Sequence, residues 1–272
     1  MRISSPACPP AAIPFAADAY ATPPDAATAW GRRFPSLVFR LKILSIIRDA
    51  GGRAACAPYS GEMWARDSLR VLRALEESGC SLRVEGLDNM DRAPGPCVFI
   101  GNHMSTLETF VLPALIQPRR EVTFVVKQSL LRTPWFRFVL QSRRPIAVSR
   151  DNARRDLAAV LEGGQDRLAR GISLIIFPQS TRSFRLDPEQ FNSIGVKLAR
   201  KAGVPVIPVA LRTDAWAAGL LWFKDFGPLR PERTIRFRFG APLAVGGTGK
   251  AEQARVYAFI ESCLREWEEP AA

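Results

Sequence analysis

Residues 97–110, CVFIGNHMSTLETF, decide how the chain is read. CVFIG is an unbroken apolar run of the kind a strand buried on both faces requires, and it stops at Gly101. The spacing from Ser105 to Leu115 predicts a helix, bounded by Pro118. Asn102 and His103 therefore fall in the connection between a strand and the helix that follows it. The same alternation runs outward in both directions. Strands are expected at 81–85, 122–126, 146–148, 172–177 (ISLIIF), 206–211 and 235–239. Helices are expected at 61–78, 151–169, 193–201 and 251–268, with a short helix or turn at 135–140 and a weak point at Gly163-Gly164. This pattern predicts an α/β layered domain, a mostly parallel sheet flanked by helices.

Upstream the pattern changes. Residues 1–30 hold 6 Pro and 10 Ala with no periodicity, and read as a disordered Pro/Ala-rich tail. Residues 31–80 read as an N-terminal helical arm. Its stretch FPSLVFRLKILSII (34–47) is too short and too charged to span a membrane, with Arg40 and Lys42 inside it. Together with Arg32, Arg33 and Arg48, those cations suit a helix lying on an anionic bilayer surface, apolar side chains toward the acyl chains. Packing of the same helix on the domain core is the equal alternative. Residues 81–272 form the α/β domain.

Composition narrows the function. Hydrophobic residues make up 47% and charged residues 24% of 272, which excludes a chain disordered throughout, a collagen and a coiled coil. The net charge is +12, and ten Arg or Lys against three Asp or Glu lie between residues 119 and 156. Such a surface attracts phosphate-bearing partners. The five cysteines make no CxxC pair, so neither a disulfide framework nor a zinc site is expected, and a reducing compartment fits. GGTGK at 246–250 lacks the flanking residues of a phosphate-binding loop, and GxGxxG and GxSxG are absent. No finger or RNA-binding signature accompanies the charge, so nucleic acid is not an expected partner.

His103 is the one histidine of the chain. In open α/β sheets, ligands gather beyond the carboxyl ends of the strands, which is where it falls. Glu108 lies five residues on. The two meet only if His103 precedes the helix and the chain bends back over its first turn. A carboxylate on one imidazole nitrogen fixes the tautomer, and the other nitrogen is then able to accept a proton from a hydroxyl. Ser105-x-x-Glu108 is equally a capping box, which accounts for the glutamate without catalysis.

Four blocks in order resemble the glycerolipid acyltransferase family, which includes the 1-acylglycerol-3-phosphate (lysophospholipid) acyltransferases. Asn102-His103-x4-Glu108 is similar to its NHx4D block, with Glu for Asp. Residues 144–150 (RPIAVSR) resemble the second block, 177–183 (FPQSTRS) the family's FPEGTRS, and 204–209 (VPVIPV) the fourth. The lead-in at 84–89 (VEGLDN) matches too. The resemblance spans about residues 82–240 and makes 81–272 an acyltransferase domain. It implies transfer of a fatty acyl group from coenzyme A or acyl carrier protein to a hydroxyl of a lysophospholipid acceptor, 1-acylglycerol-3-phosphate by default. Under it His103 is the general base and Glu108 its charge partner. Arg150 and Arg182 hold phosphate beside Thr181 and Ser183, with Lys127 a third cation. No metal or cofactor is implied, and the location is peripheral, on the cytoplasmic face of a membrane. Glu108, Gln179 and Ser180 depart from the family pattern and leave other acceptors open, lipid A or an amino-acid-containing lipid among them. A non-catalytic lipid-binding protein on the same fold is the rival reading. The apolar stretches 135–140 and 215–223 line an acyl groove or fill the core, core packing being the commoner fate.

Overall fold

The computed structural model describes residues 18–134, 136–179, 181–219 and 226–268. Eight strands among them form one sheet: β1 (Tyr20–Ala21), β2 (Leu82–Glu85), β3 (Val98–Gly101), β4 (Val122–Lys127), β5 (Ile146–Val148), β6 (Ser173–Ile176), β7 (Val206–Arg212) and β8 (Ile235–Phe239). Their order is β1-β2-β8-β7-β3-β6-β4-β5. From β7 to β5 every neighbour is parallel; β8 turns antiparallel to β7, and β2 follows β8 in parallel. The expected α/β architecture is present, as a mixed sheet with a parallel centre. Side-chain pattern follows position. Every residue of β3 and β6 is buried, whereas β8 alternates, with Arg236 and Arg238 outward.

The helices are α1 (Ala29–Arg33), α2 (Pro35–Cys56), α3 (Gly61–Glu77), α4 (Leu107–Ile116), α5 (Arg137–Ser142), α6 (Ala153–Ala169), α7 (Ile194–Ala202) and α8 (Lys250–Glu268). Two apolar cores lie on the two faces of the sheet. One joins α2, α3 and α4 to it; the other joins α6, α7 and α8. α6 runs straight through Gly163-Gly164, for a packing reason. A Cβ on Gly164 would stand 2.5 Å from Cδ2 of Leu198 in α7, so the glycine is what lets the two helices approach.

The N-terminal arm carries two apolar stripes. Phe39, Ile43, Ile46, Ile47 and Ala50 are buried in the core beneath the sheet. Trp30, Phe34, Leu37, Leu41 and Leu44 recur at helical spacing on another face and are 41–71% exposed. Core packing therefore holds for one face of this helix, and a second apolar face is left exposed. Ion pairs fasten it to α3: Arg53 grips Asp67 with both contacts at 2.6 Å, Tyr59 Oη donates to Asp67 at 2.7 Å, and Lys42 pairs with Glu77. No helix among the described residues is long and apolar enough to cross a membrane.

The tail reading needs correction at its inner end. Residues 1–17 lie outside the described part, but residues 18–30 dock on the domain. β1 pairs with β2, and Tyr20 Oη and Thr22 Oγ1 donate to Oε1 of buried Glu76 at 2.7 and 2.8 Å. Composition missed this because it rests on one tyrosine and one threonine meeting a carboxylate more than 50 residues away.

Candidate active site

β3 ends at Gly101, where a Cβ would meet the Val209 carbonyl at 3.0 Å, so β3 and β7 lie unusually close. Asn102 then prolongs the ladder with its side chain. Its Nδ2 donates to Leu211 O at 2.8 Å and its Oδ1 accepts from Leu211 N at 2.9 Å. The main chain is thereby released from the sheet at His103. The loop after β6 clamps the histidine's peptide: His103 N donates to Gln179 Oε1, and Ser183 N donates to His103 O, both at 2.8 Å.

His103 precedes α4, and the chain bends back as the spacing demanded. Its Nδ1 lies 2.8 Å from Glu108 Oε1. Its ring stacks on Phe177 with centroids 4.5 Å apart and planes 8° apart. Glu108 is fully buried, and donors surround it. Met104 N reaches Oε1 at 2.8 Å, Ser105 N reaches both oxygens at 3.0 and 3.1 Å, and Thr213 Oγ1 donates to Oε2 at 2.6 Å. Burial works to raise the carboxyl's pKa, but the bonds from His103 and Thr213 outweigh it and hold the group below its ordinary value. Glu108 therefore stays ionised. It caps the orphan amides before α4 and holds the imidazole at once, so the capping and catalytic readings are not alternatives.

Nδ1 is engaged by Glu108, and His103 borders two cavities. One, of 460 Å³, is also lined by Arg150, Thr181, Arg182, Ser183 and Trp216. The other, of 750 Å³, is mainly apolar, with Phe110, Phe124, Phe136, Val139 and Phe177 in its wall. Arg150 lines both. Arg182 Nη1 donates to Thr106 Oγ1. Ser183 Oγ accepts from Arg185 N at 3.1 Å, tying it into its own turn. Lys127 is exposed and borders the apolar cavity, which Arg150 lines too, but not the cleft that holds Arg182.

Some expectations shift here. α5 contains no buried residue; Phe136, Val139 and Leu140 line the cavity, and Phe136 and Val139 pack against the core as well. Trp216 does enter the core, edge-on to Phe39 at 5.0 Å; Trp135 and residues 220–223 lie outside the described part. Gln179 is turned inward, 2% exposed, with Nε2 donating to Arg185 O at 3.3 Å, and so serves the histidine loop. Thr213 and Asn102 were not singled out as site residues. Thr213 lies 105 residues from Glu108, and its only signal is a polar residue at the end of a buried strand.

Residues 81–212 match the sequence model of the Acyltransferase family. The 1-acyl-sn-glycerol-3-phosphate acyltransferase of Pseudomonas aeruginosa is 30% identical over 203 residues, covering 75% of this chain and 74% of that protein. This chain belongs to the acyltransferase family. The enzyme of the same name from Escherichia coli is 29% identical over 121 residues, 44% of this acyltransferase and 49% of its relative. In fold, the acyltransferase is similar to the 1-acyl-sn-glycerophosphate (LPA) acyltransferase PlsC of Thermotoga maritima. The TM-score is 0.64 at 19% identity, covering 89% of this chain and 98% of that one.

Proposed function

We propose that this acyltransferase moves a fatty acyl group from a thioester on coenzyme A or acyl carrier protein to a free hydroxyl of 1-acylglycerol-3-phosphate. His103 is the general base. Nε2 takes the hydroxyl proton as the oxygen attacks the thioester carbonyl. Glu108 compensates the charge that builds on the ring. The tetrahedral adduct collapses, the C–S bond breaks, and the proton passes to the departing thiolate. The observation that carries this reading is the buried His103–Glu108 pair at 2.8 Å, set where an apolar cavity meets a cleft lined by Arg150 and Arg182. The apolar cavity suits the acyl chain, each buried methylene contributing ~0.8 kcal/mol. The two guanidinium groups suit a phosphate monoester, which they bind through paired N–H donors. Of Gln179 and Ser180, the two departures that favour a non-catalytic lipid-binding protein, Gln179 serves the histidine loop, and Ser180 lies outside the described residues.

The enzyme works as a peripheral protein on the cytoplasmic face of a membrane. The exposed stripe Trp30, Phe34, Leu37, Leu41 and Leu44, with Arg32, Arg33, Arg40 and Arg48 nearby, supports this.

The test is purified enzyme with labelled acyl-coenzyme A and acyl carrier protein donors, offered a panel of lysolipids. Transfer to the phosphate-bearing lysolipid is expected, with near-complete loss in a folded His103→Ala variant. An active His103→Ala variant ends the general-base assignment.

A further inference from the structure

Arg150, which borders both cavities together with His103 and Thr106, is held in an unusual backbone state. Its φ is +65°, in the left-handed region that residues with a Cβ avoid. One carboxylate accounts for it. Asp156 Oδ2 accepts from Arg150 N at 2.7 Å, and Oδ1 accepts from Ser149 N at 2.8 Å and Ser149 Oγ at 3.1 Å. Asp156 stands in the first turn of α6, yet it is not the helix cap. That task falls to Asn152, whose Oδ1 accepts from Arg155 N at 3.0 Å. The hydrogen bonds of Asp156 run backward instead, to the two residues that leave β5. Strain of this kind persists where surrounding bonds impose it, and it concentrates at functional sites. The other non-glycine residue with positive φ, Arg144 at +47°, has its carbonyl fixed by Arg167 Nε at 3.0 Å and lines neither cavity.

We infer that Asp156 is a positioning residue for acceptor binding: it locks the Ser149–Arg150 turn so that the Arg150 guanidinium stands at the junction of the two cavities, ready for the acceptor's phosphate. This rests on the phosphate role proposed above for Arg150. Asp156 also borders the apolar cavity, but both of its carboxylate oxygens are engaged by Ser149 and Arg150, so its effect on the acceptor runs through Arg150. Its removal therefore weakens the phosphate-bearing acceptor and leaves the donor and the chemical step alone.

The experiment is a double-mutant cycle read in separate kinetic parameters, with lysophosphatidate as acceptor and palmitoyl-coenzyme A as donor. Arg150→Ala is expected to raise acceptor KM about tenfold or more through loss of paired donors to phosphate. Asp156→Asn puts an amide donor against a backbone donor. It is expected to raise acceptor KM roughly fivefold, with kcat and donor KM within about twofold, because the chain is free to leave the left-handed state. In the Arg150→Ala background, Asp156→Asn should add nothing, since both act on one contact. Ser149→Ala removes the hydroxyl bond to Asp156 and the one accepted from Asp151 N while leaving both backbone bonds to Asp156, and should shift acceptor KM in the same direction by about twofold, which keeps the idea testable if Asp156→Asn folds poorly. A merely structural role predicts a lower melting temperature with donor and acceptor parameters falling together, and additive effects in the cycle; that outcome overturns the inference. Unchanged acceptor KM in Arg150→Ala removes the phosphate role itself, and the inference with it. A raised KM in Arg150→Ala with normal KM in both Asp156→Asn and Ser149→Ala removes the inference alone.

Discussion

Replacing Glu108 by glutamine tests the site most sharply, because the surroundings dictate how the amide must sit. The neighbours of Oε1 are all fixed donors, His103 Nδ1 and Met104 N at 2.8 Å and Ser105 N at 3.0 Å. The neighbours of Oε2 include two hydroxyls, Thr213 Oγ1 at 2.6 Å and Ser105 Oγ at 3.0 Å, which are able to reverse from donor to acceptor. Ser105 Oγ already has an alternative acceptor, the Thr213 carbonyl at 2.9 Å. Glutamine therefore places its oxygen toward the imidazole and its NH2 toward the hydroxyls. The tautomer survives, and what is lost is the negative charge beside an imidazolium in formation. At an effective dielectric of about 20 two unit charges near 4 Å interact by ~4 kcal/mol, an upper value that corresponds to ~10³ in rate. A neutral hydrogen bond of ~1 kcal/mol retains part of it. The expectation is a fall in kcat of about 10²-fold, little change in either KM, and a melting temperature close to wild type. Glu108→Ala strands several buried donors at ~1–3 kcal/mol each and must be worse in both activity and stability. Single-turnover acyl transfer with both variants, beside thermal unfolding, measures this. The reasoning is refuted if Glu108→Gln keeps kcat within about threefold of wild type, or if it is as inactive as a folded Glu108→Ala.

The same carboxylate makes stability depend on pH. Its folded pKa lies below the ordinary glutamate value of 4.5, so the unfolded chain binds the proton first. Its contribution is complete above that value and is lost as pH falls through the depressed folded pKa. Urea unfolding at pH 7, 5, 4 and 3 should show the stability gap between wild type and Glu108→Ala narrowing only at the acid end. On the arm, Leu37→Asp with Leu41→Asp removes two exposed leucines that touch no core. Affinity for anionic vesicles should fall by about 10²–10⁴-fold at ~1.5–3 kcal/mol per leucine, with an unchanged melting temperature. Unaltered vesicle binding would exclude this stripe as the contact.

The local period carried most of the fold. Strands such as ISLIIF and helices such as 61–77 announce themselves by burial on two faces or by a stripe on one, and their bounds lie within a residue or two of the structure. What period does not carry is partnership. Nothing in IRFRF (235–239) says that β8 reverses direction against β7, and nothing in Tyr20 or Thr22 announces Glu76. The site divides along the same line. His103 and Glu108 were legible because five residues and one turn decide whether they meet. Thr213, which meets Glu108 from across the sheet, and Gln179, which meets the His103 peptide, depend on strand order, and strand order is a property of the whole chain. The substitution Gln179 for the family's glutamate was read as a change at the acceptor, because sequence shows a neutral group near Arg182 and not the direction in which it faces.

The length of Glu108 explains why capping of backbone amides and contact with the imidazole coincide in one residue. The block it resembles has aspartate there. A side chain shorter by one carbon–carbon bond withdraws its carboxylate by up to ~1.5 Å on an unmoved backbone, far enough to break contacts now at 2.8 Å. Glutamate instead reaches back over the first turn of α4 to the amides of Met104 and Ser105, and in doing so arrives at the imidazole. Those amides need an acceptor whether or not the protein does any chemistry, since buried backbone donors without partners are costly. The fold therefore stabilises an ionised carboxylate at this point for a structural reason, and the histidine uses a charge already held in place. A preorganised charge of this kind needs no rearrangement when the proton moves, which is the condition under which electrostatic stabilisation of a transition state is largest.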